Sequence, residues 1–224
     1  MSVGLPPIPS LGDADAQHDP GGRDLITVLT SEHHAIDELR GELAGTGDPT
    51  RRRELAQVLV AMISRHLSAE EQYLYPAVRA ALPDGTDLAE RGLATDRGVR
   101  RALDELDRRP DTAGPGRARA AGVVAHLAEE WDRHRRTVQE TLLPQLRAAA
   151  TDEELIRLGN RAEIAEEAGP TRPHPQAPLR PPWNRVVDPV LGTVDKVRDL
   201  LGGRSTYPED LPGERPGGSD PVRD

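Results

Sequence analysis

The sequence predicts an all-α protein, an up-down-up-down antiparallel four-helix bundle followed by short C-terminal helices. Three observations carry that expectation. Apolar residues recur at three- and four-residue steps along four long stretches. Short breakers containing Gly or Pro separate those stretches, which leaves successive helices antiparallel. A histidine-bearing segment of the second stretch, Arg65-His66 through Leu74-Tyr75-Pro76, returns in the fourth as Arg133-His134 through Leu142-Leu143-Pro144, as a duplicated helical hairpin requires.

Residues 1–22, with Pro6, Pro7, Pro9 and the run Asp13 to Gly22, read as a flexible leader. The bundle domain is expected over 23–168. From Asp24, Leu25, Leu29, His33 and Ile36 form one stripe, continued by Leu39 or Arg40 and Leu43; His34 is rotated about 100° off it. Gly45-Thr46-Gly47 ends that helix. Asp48 caps the next, with Pro49 in its first turn. This second helix runs to Leu82 with a kink expected at Pro76, and its stripe is Leu59, Met62, His66, Glu70, Tyr73 and Ala77. After the turn Pro83 to Thr86, a third helix is expected from about Asp87 to Arg109, with Gly92, Asp96, Val99, Leu103 and Leu106 on one face. Pro110 to Gly116 breaks it. The fourth helix runs from Arg117 to Ala149 with Val124, Leu127, Trp131, His134, Val138 and Leu142 inside. Thr151 to Glu154 has the capping-box pattern and opens a short fifth helix to about Ala168.

Residues 169–182 read as a Pro-rich linker of polyproline type. An amphipathic helix is expected over 183–202, with Val187, Val190, Leu191, Val194, Val197 and Leu201 as its stripe. Docking on its own bundle is the first expectation, a partner or second copy the next; Asp188, Asp195 and Asp199 argue against a membrane surface. Residues 203–224 are expected to be disordered.

Composition narrows the function classes. A net charge of −9 over 224 residues leaves no basic patch and argues against nucleic acid as a partner. The absence of cysteine excludes disulfides and thiolate metal sites and fits a reducing, cytoplasmic setting. No signal-peptide pattern or membrane-length apolar run is present.

His66 and Glu70, one helical turn apart, project from the face that should meet the core. Burying an unmatched charge there is costly, so both groups need partners. In a bundle, inward polar residues at matching depth form a ring that can surround a metal: His33, His66, Glu70, Asp96 and His134. Where the first repeat has Glu70-Glu71, the second has Val138-Gln139. Each ring member also has a plain structural reading. His66 can bond Glu70, His33 can bond Asp37, His134 can bond Glu130, and Asp96 can pair with an arginine. His18, His126 and His174 read as surface or tail residues.

The stretch from Asp24 to Ala168 resembles the hemerythrin-like, or HHE cation-binding, family. Leu29-Thr30-Ser31-Glu32-His33 matches the family's first-helix histidine, and His66 to Glu70 followed by Leu74-Tyr75-Pro76-Ala77-Val78 matches its H-x-x-x-E motif. Asp96 stands where the third helix should bring a histidine. His134 is kept on the fourth helix, but Val138 or Gln139 replaces its carboxylate. The resemblance implies a non-haem di-iron centre, here reduced to His33, His66, Glu70, Asp96 and His134 for one or two irons, because only Glu70 remains of two bridging carboxylates. It implies binding or sensing of oxygen, nitric oxide or iron, with no defined enzymatic substrate, and a homodimer is a candidate assembly. The alternative is a degenerate, metal-free bundle that serves as a scaffold or interaction module.

Overall fold

Asp24 starts the first helix: its carboxylate accepts from the backbone N–H groups of Ile26 and Thr27, satisfying donors that a helix start leaves unpaired. From there a computed structural model describes residues 21–108, 117–173 and 204–211, together with Asp195 and Asp199. The described residues are helical with no strand. Helix α1 spans Leu25–Gly45, α2 Pro49–Ala69, α3 Tyr75–Ala81, α4 Gly85–Asp107, α5 Arg117–Arg136, α6 Leu143–Ala149 and α7 Asp152–Ala168. Asp48 caps α2 with Pro49 in its first turn, and Thr151 and Glu154 close a reciprocal capping box on α7. Helix α4 begins and ends two residues earlier than the turn residues suggest.

Pro76 does not break the second helix into two rods. Instead α2 passes through a π turn, Glu70–Leu74, into α3, and α5 passes through another, Thr137–Leu142, into α6. In the π turns the N–H of Tyr75 reaches back to the carbonyl of Glu70, and that of Leu143 to Val138. The wider winding takes one extra residue, which relieves the clash that a proline ring makes with the carbonyl four residues earlier. It also turns everything downstream by about one residue, roughly 100°. The sequence stripe that continues through Tyr73 is therefore corrected. Tyr73 is only partly buried, whereas Leu74, Tyr75 and Val78 point into the core. In the second repeat Leu142, Leu143 and Leu146 do the same.

Helices α1, α2–α3, α4 and α5–α6 form the bundle, and α7 lies along α1 and α2. Gly159 makes that approach feasible, since a Cβ there would run into the backbone of Arg23 and Asp24. With α7 on its outer side, α2 is buried on almost every face from Val58 onward, which is why Ser64, Ser68 and Glu71 are inside as well as the stripe. Glu71 forms a buried two-point ion pair with Arg100 of α4, at 2.7 and 3.2 Å.

Two apolar clusters fill the interior. One gathers Leu25, Leu29, Leu74, Leu93, Val138, Leu142 and the inner face of α7. The other gathers Ile36, Leu43, Leu59, Ile63, Val99, Leu103, Leu127 and Trp131. A polar layer of His33, His66, Glu70, Asp96 and His134 lies between them.

Most of the expected leader, the Pro-rich linker and the 183–202 helix fall outside the described residues. Of that last helix only Asp195 and Asp199 are described, both buried. Asp199 accepts from the Thr171 hydroxyl and pairs with Arg172 at 2.6 Å, while Asp195 accepts from the Arg172 backbone N–H at 3.1 Å. The expected disorder from residue 203 does not extend to 204–211. Arg204 pairs with Asp107 at 2.5 Å, and the Thr206 carbonyl accepts from Arg65 at 2.7 Å. The Arg65 guanidinium also lies 4.3 Å from the centroid of the Tyr207 ring.

Candidate metal centre

Three imidazoles and one carboxylate meet in the polar layer. His33 from α1, His66 from α2, Glu70 at the start of the first π turn and His134 from α5 are all fully or almost fully buried. One ligand atom from each lies within 4.8 Å of all the others. His33 Nε2 and His66 Nε2 are 3.0 Å apart. Glu70 Oε1 is 3.3 Å from His66 Nε2 and 3.8 Å from His33 Nε2, while Oε2 is 3.4 Å from His134 Nε2. Glu70 thus turns one oxygen to the His33–His66 pair and the other to His134.

Asp96 is in the layer too, but on the far side of His134. Its Oδ1 accepts from His134 Nδ1 at 2.9 Å and from the Tyr75 hydroxyl at 2.8 Å. In the neutral ring, the Nδ1 proton given to Asp96 leaves Nε2 with a lone pair aimed at Glu70. Glu32 stands at the outer nitrogen of His66: its Oε2 accepts from Nδ1 at 2.7 Å, and Nε2 faces inward. Glu166 of α7 comes within 3.9 Å of the same Nδ1. Trp131 roofs the imidazoles. It stacks on His134 at 5.0 Å between ring centroids, meets His33 edge-on at 5.3 Å, and donates its Nε1–H to Asp37 at 2.9 Å.

The plain pairings of His33 with Asp37 and of His134 with Glu130 are absent. Asp37 holds Trp131 and Arg40, and Glu130 holds Arg133 beside Gly98, so neither carboxylate enters the centre. Asp96 pairs with a histidine and a tyrosine, not an arginine. Gln139 accepts from Arg135 at 3.3 Å and lines a surface groove with Ile26, Thr30 and His34, turned away from the histidines. Val138 is fully buried in the apolar cluster beside the centre. His126 is substantially exposed, and His18 and His174 lie outside the described residues.

Charge in the layer is strongly polarised. Burial, then the neighbouring His66 and His134, push His33 well below the usual imidazole range. Burial also opposes a charge on His66, but Glu70 and Glu32 outweigh it and hold that ring protonated well above the usual range. Burial would raise Glu70, yet His134 and His66 bring it below the ordinary carboxylate value. Asp96 is raised, chiefly by burial. Glu166 is pushed up to about 10 by burial and by its hydrogen-bonded neighbour Glu32, so the two carboxyls share a proton.

The donor set fits a cation. Glu70 Oε1 and His134 Nε2 are buried and have no hydrogen-bond partner. Two ligands on one ion with bonds of about 2.1 Å stand about 3.0 Å apart in an octahedron and about 3.4 Å apart in a tetrahedron. The spacings of 3.0 and 3.3 Å around His66 Nε2, and of 3.4 Å between Glu70 Oε2 and His134 Nε2, fall in that range, while the 3.8 Å from Glu70 Oε1 to His33 Nε2 is longer.

Sequence reasoning missed Glu32, Tyr75, Trp131 as a roof, and Glu166. Glu32 and Glu166 lie off the main apolar stripes and are partly buried, and only the docking of α7 brings them together. Tyr75 was hidden by the phase change at the π turn.

Comparison with known proteins bears on the family. The profile of the hemerythrin HHE cation-binding domain matches residues 24–146. An uncharacterized hemerythrin-like protein of Schizosaccharomyces pombe is 24% identical over 140 residues, covering 62% of this chain and 67% of its own length. No solved structure matches.

Proposed function

This chain belongs to the hemerythrin HHE cation-binding domain family, and on that premise we propose that it is a non-haem iron-binding protein whose ion is held by His33, His66, Glu70 and His134. The observation that carries the reading is the convergence of these four buried donors, three of them with unpartnered atoms, in a layer between two apolar clusters. Glu32 and Asp96 orient His66 and His134. Trp131 and Val138 keep water from the donors. Imidazole and carboxylate ligands with open positions suit iron, and bound iron would supply a place for a diatomic gas such as oxygen or nitric oxide. The proposed role is binding or sensing, not turnover of a substrate.

The chain takes up less than the two irons of a di-iron centre, because Glu70 is the sole carboxylate between the two groups of histidines. Protein made in iron-supplemented cells should retain close to one iron per chain, and His66→Ala should abolish retention while the helical content persists. Preferential retention of zinc or manganese would refute iron as the ion. A chain that retains no metal, and takes none up in vitro, would favour the second reading, a metal-free scaffold. The observation on that side is Val138, fully buried at the repeat position where Glu70 stands in the first copy.

A further inference from the structure

We propose that Tyr75 is a ligand of the metal centre, its phenolic oxygen supplying the donor that the second repeat lacks. The inference rests on the metal-binding reading above and goes beyond its four-residue set.

Three placements lead to it. The first π turn swings Tyr75 from the helix surface into the polar layer, where it is fully buried. Its ring lies against Gly92 of α4, and a Cβ at that position would collide with the ring carbons, so the packing makes room for this side chain. Its hydroxyl is 3.4 Å from Glu70 Oε2, the separation that His134 Nε2 keeps from the same oxygen. Glu70 Oε2 therefore has a nitrogen and a phenolic oxygen around it at ligand-to-ligand spacing.

A buried phenol in a structural role needs one acceptor, and Asp96 provides it at 2.8 Å. That contact alone does not account for the second carboxylate beside the hydroxyl. It does provide a route for the proton: when the oxygen binds a cation, the O–H bond breaks, the metal–oxygen bond forms, and the proton passes to Asp96. No electrons are transferred. The repeat adds a further argument. The counterparts of Glu70 and Tyr75 in the second copy are Val138 and Leu143, both apolar, so at these two positions only the first copy offers oxygen. The step moves one negative charge from Asp96 to the phenolic oxygen beside Glu70, a position where the second copy has only hydrocarbon.

The test uses the full-length protein loaded with ferrous iron under nitrogen and oxidised with ferricyanide. Wild type and Tyr73→Phe should show a visible phenolate-to-iron charge-transfer band with resonance-enhanced tyrosine ring vibrations. Tyr75→Phe keeps the ring against Gly92 and should keep its helical content. It should lose the band and the ring vibrations, and bind iron about 10- to 100-fold more weakly. Iron bound without the band in wild type, or a band surviving in Tyr75→Phe, overturns the assignment. A wild-type chain that takes up no iron overturns the metal reading with it, and elemental analysis separates that outcome from the other two.

Discussion

Removing the Asp96 carboxylate tests whether this residue orients His134 or binds the ion itself. In Asp96→Ala two buried donors, His134 Nδ1 and the Tyr75 hydroxyl, lose the oxygen that now accepts both at 2.9 and 2.8 Å. Each buried donor left unsatisfied costs about 1–3 kcal/mol. Part of that is offset because a carboxylate held in an apolar surround is relieved of its own burial. A net loss of about 2–4 kcal/mol is expected in urea unfolding of the chelator-treated protein. The metal readout is separate. An imidazole that loses its orienting carboxylate weakens a metal about 10- to 100-fold, or about 1.4–2.7 kcal/mol. Zinc competition titration on the folded variant should show that drop with unchanged stoichiometry. Asp96→Asn keeps one acceptor oxygen and should recover much of the stability. Unchanged zinc affinity in Asp96→Ala refutes the orienting role. Complete loss of the ion from a folded variant shows instead that Asp96 is itself a ligand.

Val138→Glu should raise iron per chain above the parent value, measured by elemental analysis, and should lower the melting temperature in chelator, where the new carboxylate has no cation to match it. Gly92→Ala forces the Tyr75 ring to move and should cost about 1–3 kcal/mol in chemical unfolding; an unchanged midpoint would mean that the ring is not seated as described. Zinc affinity should climb with pH through neutrality, because an entering ion must displace the proton that Glu70 and Glu32 hold on His66. The climb should level off once the pH passes that raised pKa, and a flat isothermal-titration profile would count against it. In the metal-free chain the same raised pKa contributes stability below about pH 6.5, and this is lost as the pH rises through the folded-state value. Truncation after Ala168 removes the partners of Arg65 and Asp107 and should lower the melting temperature; an unchanged value would show that the docked segment adds nothing to stability.

Helix limits were legible in the sequence because their causes are local. Asp24, Asp48 and Thr151 cap, Pro49 starts, and the Gly- and Pro-containing turns stop, all within a few residues of where the helices begin or end. The layer was legible too, since His33, His66, Asp96 and His134 fall on stripes whose period holds along uninterrupted α-helix. Tyr75 was not. A 3.6-residue period carried across Glu70 selects Tyr73, and nothing in the side chains announces that the backbone bonds widen there. The place of Asp96 was hidden for a different reason: a stripe gives direction but not depth, and its short side chain meets the outer nitrogen of His134 and the Tyr75 hydroxyl. Glu32 and Glu166 meet through α7, a helix whose capping box was readable but whose docking side was not.

The π turns give two different sets of side chains the same backbone path. They occur at the same place in both repeats, each ending just before a proline that sits at the same distance from its histidine. The two segments therefore share one winding while their side chains differ: Glu70 and Tyr75 in the first stand where the second has Val138 and Leu143. One backbone path thus turns reactive groups inward on one side of the bundle and a hydrocarbon wall inward on the other.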